Sequence, residues 1–336
     1  MSEKRAVTMD DIARLARVSK PTVSRALNNS PLVKKKTRDH VLAVAHEQGY
    51  AVNRNAQKLR RKRTNTIAVS LDFGSHQQGH IADPFMFELL AGVSEALGDQ
   101  NQDLLLCAPR HNDADDFQRI LWSRGADGFI ILGQGHREEM LKEFAATGAP
   151  MVVWGAGADD AEYCVVGSDN FLGGKLAGQH LLRKGGRHLV FVGDTSFREI
   201  GLRYAGMQRA ADERPYDVRT DCIELHSFSY DAAYEAANRY LDVTENRPDG
   251  LFASNDTVAM AFISAFRDAG IDVAGEISVV GYNDIPTAAY FTPRLTTIRQ
   301  DIYQAGRVLV AKLMRILDGE TPGSALIRTQ LITRQT

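Results

Sequence analysis

From Thr66 onward, short apolar runs alternate with stretches of helical periodicity, and this pattern constrains the fold more than any other feature. The runs are Ile67 to Leu71, Leu104 to Cys107, Phe129 to Leu132, Met151 to Trp154, Cys164 to Val166, Leu189 to Val192, Cys222 to Leu225, Leu251 to Ala253 and Ile277 to Gly281. They are continuous rather than alternating in polarity, which predicts strands buried on both faces, the habit of parallel strands under helices. Nine such runs spread over a length that exceeds one ordinary core predict two similar doubly wound parallel-sheet subdomains. Ligands of such folds lodge beyond the carboxyl ends of the strands, here in the cleft between halves.

The first 63 residues follow another rule. They carry 16 Lys and Arg against 5 Asp and Glu, a charge of +11, and since the whole chain sums to −2 the remainder carries −13. The near-neutral average thus hides a small basic module joined to a large acidic one, an asymmetry that points to nucleic acid or another polyanion. The boundary falls after Arg60-Arg61-Lys62-Arg63.

Within the basic module, Thr8-Met9-Asp10-Asp11 reads as a capping box opening a helix whose buried face is Ile12, Leu15 and Ala16. Arg17-Val18-Ser19 interrupts it. Ser19 then caps a second helix, with Pro21 in the first turn, Val23 and Leu27 buried, and Lys20, Thr22, Ser24, Arg25 and Asn28 on a polar face able to donate to phosphates and base edges. Two short helices joined by such a turn predict a helix-turn-helix. A third helix, from about Lys35 to His46, adds Val41, Val44 and Ala45 and stops near Gly49. Residues 53 to 59 have too little apolar surface to hold a helix alone.

These residues closely resemble the DNA-binding signature of the lac/gal repressor family: Thr8 to Ala13, Val18-Ser19, Thr22 to Arg25, Leu27-Asn28, Thr37-Arg38, Gly49-Tyr50 and Asn53-Arg54 with Ala56. The resemblance implies that Lys20, Pro21 and Arg25 face base edges in the major groove. Ser19, Thr22, Ser24 and Asn28 then position on phosphates, and Thr8, Asn53, Arg54 and Ala56 complete the DNA-binding set. It also implies a hinge helix that forms on operator DNA, with Leu59 of each subunit wedged into the minor groove. Arg17 stands where the family usually has Gly, and Lys34 where it has a capping Ser.

The acidic module resembles the same family's effector-binding core, itself similar to periplasmic sugar-binding proteins. Gly167 to Asn170, Leu202-Arg203, Ala253 to Asp256, Val279 to Asp284 and Leu295 to Ile298 carry the likeness. Residue by residue it implies effector contacts at Phe85, Trp154, Glu199, Arg203, Phe228, Asn255 and Asn283, in positions just after strands. A core role is the alternative reading of Phe85, Trp154 and Phe228, and helix capping that of Asp256 and Asp284. Gly155 stands where some members hold a sugar hydroxyl with Asp, and the Glu199 carboxylate suits sugar hydroxyls better than a purine corepressor.

The expected organisation is a small all-α helix-turn-helix domain over residues 1–50, a hinge and linker over 51–63, and an effector-binding and dimerisation domain over 64–336 of periplasmic-binding-protein type. Its N-subdomain is expected to combine 64–166 with 300–327, and its C-subdomain 167–299 with 328–336. The resemblance implies a regulator, not an enzyme: a homodimer that binds pseudo-palindromic double-stranded operator DNA and is released by a mono- or disaccharide. A corepressor-dependent regulator, or an α/β sugar-processing enzyme with a DNA-binding appendage, is the alternative. No GxGxxG follows the first strand, and GxxxxGK[ST], GxSxG and HExxH are absent, so no cofactor or catalytic residue is expected. The pair His76 and His80 is a weak metal signal, and the acidic pairs Asp115-Asp116 and Asp159-Asp160 read as solvated loops. Cys107, Cys164 and Cys222 read as buried reduced thiols. A charged N-terminus without a long apolar run predicts no membrane segment and a cytoplasmic location.

Overall fold

The structure is a computed structural model that describes residues 7–27, 30–50, 63–71, 84–107, 113–157, 162–244 and 247–336. The chain divides into two compact units, Met1–Thr64 and Asn65–Thr336.

The small unit holds α1 (Met9–Leu15), α2 (Lys20–Leu27) and α3 (Lys35–Glu47). The capping box of α1 is complete: the Asp11 amide donates to Thr8 Oγ1 at 3.3 Å and the Thr8 amide to Asp11 Oδ2 at 3.0 Å. Ile12, Ala16, Val23, Ala26, Val33, Val41 and Ala45 form the core. Leu15, expected in that core, is 47% exposed, because the i, i+4 pair Ile12 and Ala16 already fills the narrow stripe that two short neighbours can cover. Arg17 adopts φ of +52°, so the turn does require the left-handed region that a glycine would enter freely. No side chain caps α3 at Lys34. Arg38 braces the preceding loop instead, donating to the carbonyls of Ser30 at 2.8 Å and Val33 at 3.2 Å.

The large unit contains, in chain order, β1 (Thr66–Leu71), α4 (Phe85–Asp99), β2 (Asp103–Leu106), α5 (Ala114–Trp122), β3 (Gly128–Leu132), α6 (Glu138–Ala146), β4 (Met151–Trp154) and β5 (Cys164–Ser168). Next come α7 (Asn170–Arg183), β6 (His188–Gly193), α8 (Arg198–Asp212), β7 (Arg219–Glu224), α9 (Tyr230–Val243), β8 (Gly250–Ala253), α10 (Asp256–Asp268) and β9 (Ser278–Asn283). The unit ends with β10 (Thr296–Gln300), α11 (Ile302–Leu317), β11 (Ala325–Ile327) and β12 (Thr329–Ile332).

Among the described residues these strands form two six-stranded sheets, ordered β11-β5-β4-β3-β1-β2 and β12-β10-β9-β8-β6-β7. All ladders are parallel except β10 with β12. Strands β1, β3, β4, β5, β8 and β9 are buried along their whole length, as continuous apolar runs require. The edge strands β2 and β7 are partly exposed, and Cys107 and Cys222 beside or within them are therefore only half-buried, unlike Cys164. Burial still pushes the Cys107 thiol up to about 11 and Cys222 to about 12, so both remain protonated.

Three further points differ from the sequence reading. β10 lay outside the nine apolar runs because its buried residues include Thr296, Thr297 and Gln300, which are satisfied by hydrogen bonds rather than by apolar packing. β11 and β12 also lay outside the nine runs, and although one residue separates them, β11 joins the first sheet and β12 the second. Asp115 and Asp116 lie in the first turn of α5 behind the N-cap Asp113, where carboxylates suit the positive helix end.

The chain therefore passes between the sheets three times, each time across a single residue outside the flanking elements: Asp169, Asp301 and Arg328. α11 packs on α4 and on β3, β4 and β5, which assigns it to the first sheet, while α7 packs on α8 and on strands of the second. Two of the crossings are tied together, since the Asp169 amide donates to the Ile327 carbonyl at 3.1 Å and Thr329 Oγ1 donates to the Asp169 carbonyl at 3.3 Å.

Candidate functional site

All seven residues singled out as effector contacts line one cavity of the large unit that opens to solvent. Phe85 opens α4, Trp154 ends β4, Glu199 and Arg203 lie on the first turns of α8, and Phe228 precedes α9. Asn255 caps α10, and Asn283 ends β9. Residues attached to both sheets thus face one space, as expected where strands of a doubly wound fold point their carboxyl ends into a cleft.

Arg203 is the most constrained of them. α7 and α8 approach backbone to backbone because Gly174 and Gly206 have no side chain; a Cβ on Gly174 would collide with the Arg203 carbonyl, and one on Gly206 with that of Phe171. That approach brings Arg203 Nε within 2.9 Å of Asn170 Oδ1, to which it donates, while Nη1 donates to the Ser254 carbonyl at 2.6 Å. The guanidinium lies 3.7 Å above the centre of the Tyr282 ring. Burial pushes the Tyr282 hydroxyl up to about 12, so the ring stays neutral and attracts the cation through its π face. A planar donor held this way at 9% exposure is preorganised for bidentate recognition of paired oxygens.

The carboxamides are fixed as well. Asn255 Oδ1 accepts from the Val258 amide at 2.8 Å, and Asn283 Oδ1 accepts from Gln300 Nε2 at 2.6 Å. Asn283 and Asp284 adopt φ of +111° and +58°, two consecutive non-glycine residues in sparsely populated backbone at the cavity wall, where strain is commonly stored for function. Neither Asp256 nor Asp284 is a helix cap. Asp256 accepts from the Ile285 amide at 2.8 Å and from Thr297 Oγ1, and Asp284 pairs with Arg299 and Arg334, each at 2.6 Å.

Apolar surface supplies the rest of the wall. Phe85 and Trp154 sit 6.1 Å apart, and Phe228 meets Phe197 edge to face at 5.7 Å. Met86, Gly133, Gly135, Phe197, Ile200 and Ser254 also line the cavity and were not among the expected contacts. Ser254 Oγ is buried without a hydrogen-bond partner among the described residues. Gly155 follows the wall residue Trp154, and the space a Cβ would need there is occupied by Gln134, whose Oε1 accepts from the Ala156 amide at 2.8 Å.

In the small unit, Ser19, Lys20, Pro21 and Arg25 are exposed and Thr22 and Ser24 half-buried, all on or at the start of α2. Lys20 Nζ pairs with Asp10 at 2.8 Å across an exposed gap, and the hydroxyls of Ser19 and Thr22 bond at 2.8 Å. Thr8 uses its hydroxyl in the cap of α1. Asn28, Asn53, Arg54, Ala56 and Leu59 lie outside the described residues, as do His76, His80, Asp159 and Asp160. Among the described residues no group of three or more His, Cys, Asp or Glu is placed to hold a metal ion, and no helix is long and apolar enough to cross a membrane.

Comparison with known proteins agrees with both units. A family model described as bacterial regulatory proteins, lacI family, matches residues 8–53, and one described as a periplasmic binding protein-like domain matches residues 179–336. The chain is 30% identical over 311 residues, 91% of each chain, to the HTH-type transcriptional repressor PurR of Photobacterium profundum. Among solved structures, the lac repressor dimer bound to operator and the anti-inducer ONPF matches with a TM-score of 0.84 at 24% identity, covering 99% of each chain. A complex of the transcriptional regulator CelR with cellobiose matches with a TM-score of 0.69 at 27% identity, covering 98% of this chain and 99% of that one.

Proposed function

We propose, on the premise that this chain belongs to the lacI family of bacterial regulatory proteins, that it is a repressor of carbohydrate-utilisation genes released by a mono- or disaccharide inducer. It is a DNA-binding transcriptional regulator. The observation that carries the sugar reading is the convergence of Arg203, Asn255, Asn283 and Glu199 with Phe85, Trp154 and Phe228 on one cavity. Fixed planar donors and acceptors suit paired hydroxyls, and aromatic faces suit the C–H surface of a sugar ring.

In this reading α2 enters the major groove, with Lys20, Pro21 and Arg25 on base edges and Ser19, Thr22, Ser24 and Asn28 on phosphates; Thr8 adds a contact from the start of α1, and Asn53, Arg54, Ala56 and Leu59 add the hinge contacts. Two half-sites require two copies. Phe87, Leu105 and Leu106, exposed on the neighbouring α4 and β2, offer apolar surface for a second copy. The sugar closes the cleft, and its higher affinity for the closed state draws the dimer away from the conformation that binds DNA. The protein works in the cytoplasm and without catalysis.

Thermal-shift screening of mono- and disaccharides, followed by operator binding with the hit present, tests the proposal. A hit that weakens operator binding is expected. One that tightens it would reverse the sign to corepression, and turnover of the sugar would restore the enzyme reading.

A further inference from the structure

We infer that His136 is a positioning residue for the effector: its ring, carried by the first sheet, stacks on Phe197 of the second and holds the cleft shut on the sugar without touching the sugar itself. This rests on the saccharide reading above. The two rings lie 4.3 Å apart between centroids, tilted by 37°. Phe197, Gly133 and Gly135 line the cavity, so the contact stands at its edge, while His136 is not one of the lining residues.

Each ring is fixed to its own sheet. The loop from β3 to α6 turns through Gly133 and Gly135, at φ of +92° and +52°. Gln134 ties it to the strands beside it: Oε1 accepts from the Ala156 amide, just after β4, at 2.8 Å, and Nε2 donates to the Tyr163 hydroxyl, just before β5, at 3.2 Å. Arg137 Nη2 donates to the Gly133 carbonyl at 2.7 Å and closes the loop on itself. Gln134 and Arg137 are buried, and His136 stands exposed beside them.

Phe197 is held as firmly on the other side. The Thr195 amide and hydroxyl donate to the carboxylate of Glu224, the last residue of β7, at 3.1 and 2.7 Å. The Ser196 amide donates to Asp194 Oδ1 at 3.0 Å, and the Gly201 amide of α8 donates to the Phe197 carbonyl at 2.8 Å.

Since each loop moves with its own sheet, rotation of the sheets about the crossings at Asp169, Asp301 and Arg328 must part or slide the two rings. The contact therefore belongs to a narrow range of cleft angles and biases the molecule towards it. An aromatic pair of this kind shifts an equilibrium about twofold to tenfold. A sugar that binds at that cleft angle gains the same factor in affinity.

Calorimetric titration of the full chain with glucose, ribose, maltose and cellobiose selects a sugar that binds, and stopped-flow fluorescence of Trp154 in the cavity wall follows its release. His136→Ala should speed release about twofold to tenfold with thermal unfolding unchanged. His136→Phe, which keeps a stacking ring, should restore the parent rate. In a Phe197→Ala background, His136→Ala should change nothing further, because the partner ring is gone. Release from His136→Ala at the parent rate overturns the inference. So does an effect of full size in the Phe197→Ala background, which would put His136 on the sugar instead. If none of the four sugars binds, the saccharide reading itself fails and this inference falls with it.

Discussion

The two units place their functional side chains in opposite ways. On the small unit Ser19, Lys20, Pro21 and Arg25 stand exposed, and the ion pair of Lys20 with Asp10 is open to water on both sides. In the large unit Arg203, Asn255 and Asn283 are buried, and each is held by another group before any ligand arrives. The difference matches what each surface meets. A charged polymer is attracted at long range, and exposed cations can settle on it while its counterions leave. The proposed sugar brings no such attraction, and donors oriented in advance lower the cost of binding it.

The largest expected effect falls on the preorganised side. Arg203→Ala should lower inducer affinity by more than a hundredfold, about 3–5 kcal/mol, because it removes a donor and strands Asn170 and the Ser254 carbonyl. Operator binding without inducer should be unchanged. Titration calorimetry with the screening hit measures the first and a gel-shift titration the second. Unchanged inducer affinity would mean that the cavity is not the site.

A smaller effect is expected at an exposed contact. Arg25→Ala should cost about 1–3 kcal/mol per half-site in operator affinity and flatten the preference over scrambled DNA, with inducer binding intact. Retained selectivity would break the assignment of α2 as the reading helix. The smallest effect is a gain. Arg17→Gly should raise the stability of the small unit by about 0.5–1 kcal/mol, since φ of +52° strains any residue with a Cβ, and thermal unfolding of the isolated variant pair would register it.

What the sequence disclosed, and what it withheld, follows the same division between local and distant causes. Strands buried on both faces announce themselves as apolar runs, and a capping box such as Thr8 with Asp11 is complete within four residues. β10 did not announce itself, because Thr297 and Gln300 are buried against polar partners, Asp256 and Asn283, that lie far away in the chain. Neither β11 nor β12 was among the nine apolar runs, and a local pattern does not say which sheet a strand will join. The seven cavity residues were legible from positions after strands and from family likeness. Gly133 and Gly135 carried the same positional signal after β3 and were passed over. Asn170 and Tyr282 lie in segments that carry the family likeness, but their role in orienting Arg203, like that of Gln300 towards Asn283, exists only once the sheets are assembled.

The three crossings at Asp169, Asp301 and Arg328 also fix an order of events during synthesis. The sheet that begins with β1 cannot be finished until β11, at Ala325–Ile327, has been made, so the subdomain begun first is among the last completed. The small unit needs only Met1–Thr64. At roughly 5–20 residues per second on the ribosome, the residues of the small unit are all made roughly 10–50 s before those of β11. During that interval the nascent chain carries the whole of the DNA-binding sequence but not the whole of the sheet that supplies one wall of the cavity.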